Sequence, residues 1–178
     1  GGGSKEFALQ AHAMAQRAAG GDVFPYIQNA FQSIAMATVS KSALEAVQLG
    51  FASAADDIVL NANELLYVAI RRARALAESA WRPRMLNPAF TVAGRNGIAT
   101  CELMLVNMAE GGFISAHDYR VAKAAATALC GGEVDSGRRV GEQWVLDVER
   151  AQFLELLKTE KTQQRIAHML DTGKPLRN

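Results

Sequence analysis

Three histidines carry the most evident chemical potential of this chain, and their positions limit what they can do. None of His12, His117 and His168 stands three or four positions from another His or Cys in one helix, so no metal-ligand spacing is present. His117 adjoins Asp118, and an imidazole beside a carboxylate is suited to proton transfer. The same Asp118 follows Ser115 by three positions, where it completes a capping box; local helix-start chemistry is the simpler reading. Carboxylate pairs at Asp56-Asp57 and at Glu133 with Asp135 raise a second option, because hydration chemistry needs two carboxylates converging on one water. Convergence of that kind requires separate backbone segments. Adjacent loop residues diverge, which favours turn and capping roles. No serine occupies a G-x-S-x-G elbow, and no G-x-G-x-x-G opens a helix after a strand.

Arg71, Arg72, Arg74, Arg82 and Arg84 gather near the end of one helix with Trp81 among them. Two readings fit. The cluster could dock an anionic tail such as the phosphates of coenzyme A, with Trp81 as a stacking face and Arg71 and Arg74 as the phosphate contacts. More simply, cations near a helix C-terminus complement its dipole. Gly1-Gly2-Gly3-Ser4-Lys5 also precedes a helix, and free amides there can hold an anion or a polarised oxygen. A flexible glycine tether explains the same residues equally well.

The elements that must position these groups are helices. Ser4 can cap a first one carrying Phe7, Ala11, Met14 and Ala18, with Gly20-Gly21 as its stop. A second begins after Asp22, tolerates Pro25 in its first turn and lines up Phe24, Ile27, Phe31 and Ile34. Ser42 with Glu45 opens a short third helix that Gly50 closes. Asp57 to Leu60 reads as a short strand or extended link. Asn61 and Glu64 then start a helix expected to bury Leu65, Ala69, Ala73, Leu76 and Ala80, with Arg71, Arg74 and Glu78 opposite. Periodicity fails from Trp81 to Gly94, where Pro83 and Pro88 interrupt it. Beyond, Asn96 can cap a helix with Ile98, Cys101, Leu105 and Met108. Ser115 opens an alanine-rich helix ending at Gly131-Gly132. The stretch from Glu142 to Lys158 is apolar around most of its circumference, as expected for burial between partners, and a last helix stops near Gly173. The expected architecture is all-α: a helical bundle of about seven helices in two lobes, 1–82 and 96–178, joined by a linker at 83–95.

Composition narrows the class. With 49% apolar residues, 21% charged residues and a formal net charge of +1 over 178 residues, the chain is globular in character. Near-neutrality argues against nucleic acid as a partner. No apolar run approaches the roughly 18 residues of a membrane span, and no charged-then-apolar leader opens the chain, so a cytoplasmic location is expected. Cys101 and Cys130 read as small buried apolar residues. The absence of Met at position 1 suggests a piece of something longer.

Gly2-Gly3-Ser4-Lys5-Glu6-Phe7 resembles the Gly-Gly-Thr-x-x-Leu turn of crotonases, the enoyl-CoA hydratase superfamily. Ser42 to Phe51 is similar to their S-A-x-E-A-x-x-x-G-L segment, and Asp57 to Ala80 to the link and helix that follow. Further along come Ala93-Gly94-Arg95, Asn107-Met108, Glu110-Gly111-Gly112, His117-Asp118, Leu129-Cys130-Gly131-Gly132 and the ending from His168 to Asn178. Together these resemble the C-terminus of fused 3-hydroxyacyl-CoA dehydrogenases whose crotonase-like portion comes last.

That resemblance implies a parent enzyme of fatty-acid β-oxidation that uses NAD and acyl-CoA thioesters. This chain would be the C-terminal helical part of a crotonase-like fold without its sheet core. In that family the oxyanion-hole amides and catalytic carboxylates precede the Gly-Gly turn, and no position here matches them. The resemblance therefore implies no catalytic residue, no metal and no cofactor site in this piece. Gly2 and Gly3 would line the substrate pocket, and the remainder of the enzyme would be the natural partner. Apolar faces stripped of their core would promote homo-oligomers. A free-standing helical interaction module, or an acyl-CoA binding domain built on the Arg71 to Arg84 cluster, are the alternatives.

Overall fold

Helix ends determine most of the local architecture. The computed structural model describes residues 2–18, 21–86 and 89–178. Among these, eight helices account for nearly all regular structure: α1 (Gly3–Arg17), α2 (Phe24–Ala35), α3 (Ala43–Gln48), α4 (Leu65–Glu78), α5 (Gly94–Glu110), α6 (Ala116–Leu129), α7 (Glu142–Leu157) and α8 (Glu160–Thr172). Two short strands, β1 (Phe90–Thr91) and β2 (Arg139–Val140), form an antiparallel ladder that pairs Phe90 with Val140. The chain is mostly helical.

The glycine stops act through one recurring geometry. After α3 the Gly50 amide donates to the Val47 carbonyl at 3.1 Å, and Phe51 reaches back to Ala46 at 2.8 Å. After α5, Gly112 and Phe113 make the same two bonds to Ala109 and Met108. After α6, Gly131 and Gly132 bond to Ala128 and Thr127. Each satisfies carbonyls left open at a helix end, and each needs the positive φ that Gly50, Gly112 and Gly131 supply.

At the helix starts the capping box of Ser115 and Asp118 is complete in both directions. Ser42 accepts from the Glu45 amide, while the Glu45 carboxylate bonds the Lys41 amide instead of that of Ser42. Two expected caps are displaced. Ser4 lies inside the first turn of α1, whose cap is Gly2 at φ +105°, and Asn96 lies inside α5, which starts at Gly94. Gly20, Gly1 and Pro88 lie outside the described residues. Asp57 to Leu60 carries no helix and no strand pairing.

Packing divides the chain into two units, Gly1–Thr38 with Asn87–Asn178, and Val39–Leu86. This differs from the division expected at 83–95, because α1 and α2 pack on α6 and α1 also packs on α7. The reason is small side chains: Ala8, Ala11 and Ala15 of α1 and Ala122 and Ala126 of α6 are all buried, which lets backbones approach closely. Phe90, Ile27, Leu105, Leu129, Val92 and Val145 fill the core with the free thiols Cys101 and Cys130. Each large apolar side chain there stabilises by about 1.5–3 kcal/mol. Hydrogen bonding with Cys101 and burial both push the Cys130 thiol upward, so it stays protonated. The α7 helix is less enclosed than its sequence suggested. It buries Glu142 and Val145, while Trp144, Phe153 and Leu154 remain about half exposed.

The smaller unit contains α3, a 3₁₀ turn at Ala62–Glu64 and α4. No residue of α3 or α4 is buried. Leu65, Ala69, Ala73 and Ala80, expected in a buried stripe, are exposed, and Leu76 is half-buried. Among the described residues no helix is long and apolar enough to cross a membrane.

Candidate functional site

In the larger unit, α6 and α7 run alongside the start of α1 and enclose a cleft of about 650 Å³. Its walls are apolar: Val121, Ala124, Ala125 and Ala128 from α6, and Leu146, Phe153 and Leu156 from α7. The α6 residues recur at three- and four-residue spacing, so their short side chains form a shallow floor along one helix side. The rim is polar, with Ser4, Gln143, Glu149 and Arg150.

Gly2 lies on this rim. Its amide donates to both carboxylate oxygens of Glu149, at 2.9 and 3.0 Å. The amide at the start of α1 is thus met by the protein's own carboxylate, which sits against the positive end of the helix dipole. Gly3 is exposed, and a Cβ placed on it would meet nothing within 4 Å. The two glycines therefore separate in role. The cleft can take up an apolar chain or ring and offers Glu149 and Arg150 to a polar end.

Arg72 pairs with Asp57 at 3.2 Å. Arg82 and Trp81 line a hollow of about 520 Å³ at the end of α4, together with Ala73 and Leu76. Arg71 and Arg74 are exposed on α4 and do not line that hollow.

The other candidates are committed to structure. His117 is 6% exposed, and its Nε2 lies 3.1 Å from the Thr162 hydroxyl of α8. Burial lowers its pKa below the usual 6.5; Arg165, Lys161 and Arg120 add to this and Asp118 opposes it. Asp118 turns elsewhere. It accepts from the Ser115 amide at 3.1 Å and pairs with Arg165 at 2.9 Å. Burial would raise its carboxyl, but the Ser115 and Arg165 hydrogen bonds outweigh that and hold it below the usual range. No proton-transfer pair is formed between the two.

His12 accepts the Thr91 amide through Nδ1 at 3.2 Å, and burial followed by the nearby Arg139 lowers its pKa. Asp56 closes a turn on the Ser53 amide. Arg95 takes up the Glu133 carbonyl and pairs with Asp135 at 3.3 Å. Among the described residues no group of three His, Cys, Asp or Glu side chains is placed to hold a metal.

Sequence reasoning missed Glu149, Leu146, Phe153 and Leu156 as site residues. The apolar circumference of α7 hinted at the last three. Nothing along the chain links Glu149 to Gly2, 147 positions away.

No family model matches the chain, and no solved structure matches it. A protein of Bacillus subtilis (strain 168), described as a probable 3-hydroxyacyl-CoA dehydrogenase, is 38% identical to it over 178 residues. That match covers 100% of this chain but only 22% of the relative, so the chain spans about a fifth of the length of the curated protein it matches.

Proposed function

We propose that this chain is the C-terminal helical part of an NAD-dependent 3-hydroxyacyl-CoA dehydrogenase of fatty-acid β-oxidation, one carrying an enoyl-CoA hydratase-like portion. In this reading the chain covers the acyl-CoA pocket and contributes the apolar cleft between α6 and α7 to it. The NAD site and the reacting groups belong to other polypeptide, and the chain alone is inactive. The observation that carries the proposal is the 38% identity running through all 178 residues. The cleft supports it, since apolar walls with a charged rim suit a thioester's acyl tail better than they suit chemistry.

The test compares the complete gene product with the 178-residue chain. NAD reduction is followed with a 3-hydroxyacyl-CoA, and hydration with a 2-enoyl-CoA. The complete protein is expected to turn over both and the chain neither. Turnover by the chain alone, or none by the complete protein, overturns the reading.

A second reading, an acyl-CoA binding module centred on α4, rests on the hollow where Trp81 and Arg82 meet. Calorimetric titration with coenzyme A decides it. Heat that disappears in Arg71→Ala/Arg74→Ala or in Arg82→Ala would favour it, and no heat removes it.

A further inference from the structure

His117 stands where α6, α7 and α8 meet, at one end of a short relay of hydroxyl groups. The Thr159 hydroxyl has one proton and two oxygens in reach, the Leu156 carbonyl at 2.6 Å and the Thr162 hydroxyl at 2.8 Å. The carbonyl only accepts, and a gap that short requires the proton to lie within it. Thr162 therefore donates to Thr159. With its own proton spent, the Thr162 oxygen accepts from His117 Nε2 at 3.1 Å. Neutral His117 is thus the Nε2–H tautomer, and Nδ1 is the atom left to take up a second proton.

An imidazolium is disfavoured there. His117 is the second residue of α6, at the positive end of that helix's dipole, and its ring is buried. The charged groups that act on the ring are Asp118 and Arg120 from α6 and Lys161 and Arg165 from α8, while α7 contributes the Leu156 carbonyl through Thr159. Asp118 is engaged elsewhere: it pairs with Arg165 at 2.9 Å and accepts from the Ser115 amide. A proton on Nδ1 therefore adds a charge of the same sign to those of Arg120 and Lys161.

We propose that His117 is an acid-operated latch, whose protonation at Nδ1 releases α8 and residues 173–178 from α6. Two observations localise the release. Thr162 is buried, but the other residues of α8 are half-buried or exposed, so undocking forfeits little apolar contact. Asn178 travels with α8, because its side-chain amide donates to the Lys161 carbonyl and to Gln164, and its side-chain oxygen accepts from Arg165. The neutral ring is the docked form, so docking is complete above about pH 6.5 and weakens below it. Asp118 stays ionised through this window, since its carboxyl is held below the usual range.

The test is hydrogen exchange of the 178-residue chain at pH 7 and pH 5, corrected for the intrinsic pH dependence of exchange. The Glu160–Thr172 amides are expected to be at least tenfold less protected than the interior amides of α5 and α6 at both values. At pH 5 they should lose a further factor of about 3 to 30, the upper figure being the most that one histidine with an undocked pKa of about 6.5 can supply. His117→Gln, which can still donate to Thr162, should remove at least half of that loss. Protection of α8 equal to that of α5 and α6, or a loss undiminished in the variant, overturns the proposal. Nitrogen-15 NMR of the unsubstituted chain tests it even should the variant not fold. The neutral His117 ring is expected to carry its proton on Nε2 and to titrate below pH 6.5; a proton on Nδ1, or a titration at or above pH 6.5, overturns it.

Discussion

Gly94 sits at φ +59°, and a Cβ there would lie 2.3 Å from the Val134 carbonyl oxygen and 2.8 Å from the Asp135 backbone. The backbone cannot withdraw freely, because the Gly94 amide bonds Cys130 and the Arg95 amide bonds Val134, each at 2.8 Å. Gly21 has a similar φ, +66°, with nothing within 4 Å of the added atom. The pair separates two costs. Gly21→Ala should lose about 1 kcal/mol from the left-handed backbone alone. Gly94→Ala should lose about 3 kcal/mol or more, because steric overlap adds to the same conformational cost. Urea unfolding of both variants checks this, and equal losses would show that close approach contributes nothing at Gly94.

Between elements, α8 is held to α6 by polar contacts. His117 meets Thr162, Asp118 meets Arg165, and Arg165 also donates from Nε to the Asn178 side chain at 2.8 Å. The neutral imidazole is the form the fold prefers, since its pKa lies below the usual 6.5. The unfolded chain therefore takes up the proton first as pH falls. Stability is full above about pH 6.5 and declines below it, by up to about 1.4 kcal/mol per pH unit for one group. His12 is shifted the same way and adds to the same window. Asp118 acts lower: its depressed pKa contributes stability above the carboxylate range that is lost on further acidification. His117→Gln retains a hydrogen-bonding group for Thr162 without the titration. It should flatten the fall in urea midpoint between pH 7 and 5 without abolishing it, and an unchanged slope would refute the assignment.

For the molecule as a whole, the contrast between the two units governs behaviour. The larger has a continuous core drawn from both ends of the chain, whereas α3 and α4 of the smaller bury nothing. Local stability follows buried apolar contact, so the smaller unit opens first. Trypsin acting on the 178-residue chain should cut first after Lys41, Arg71, Arg72, Arg74 or Arg84. The two large fragments should then co-elute in size-exclusion chromatography, because α1 and α2 stay packed on α6. First cuts within α5 or α6 would contradict this.

Helix number, approximate limits and stops were legible in the chain itself, because caps and glycine stops are short-range chemistry. Ser115 needs only Asp118, and Gly50 needs only the turn before it. The apolar lines through Ile27 and Phe31 and through Cys101 and Leu105 likewise declared their buried sides. Which helix would lie against which was not legible, since interchangeable alanine faces on α1 and α6 name no partner. The stripe on α4 shows the limit of periodicity: it marks a side meant for burial without supplying the cover. The meeting of Gly2 with Glu149, and the cleft beside it, came into being only when distant segments packed together. Local hydrogen bonding is encoded over a few residues; the site depends on which surfaces exclude water together.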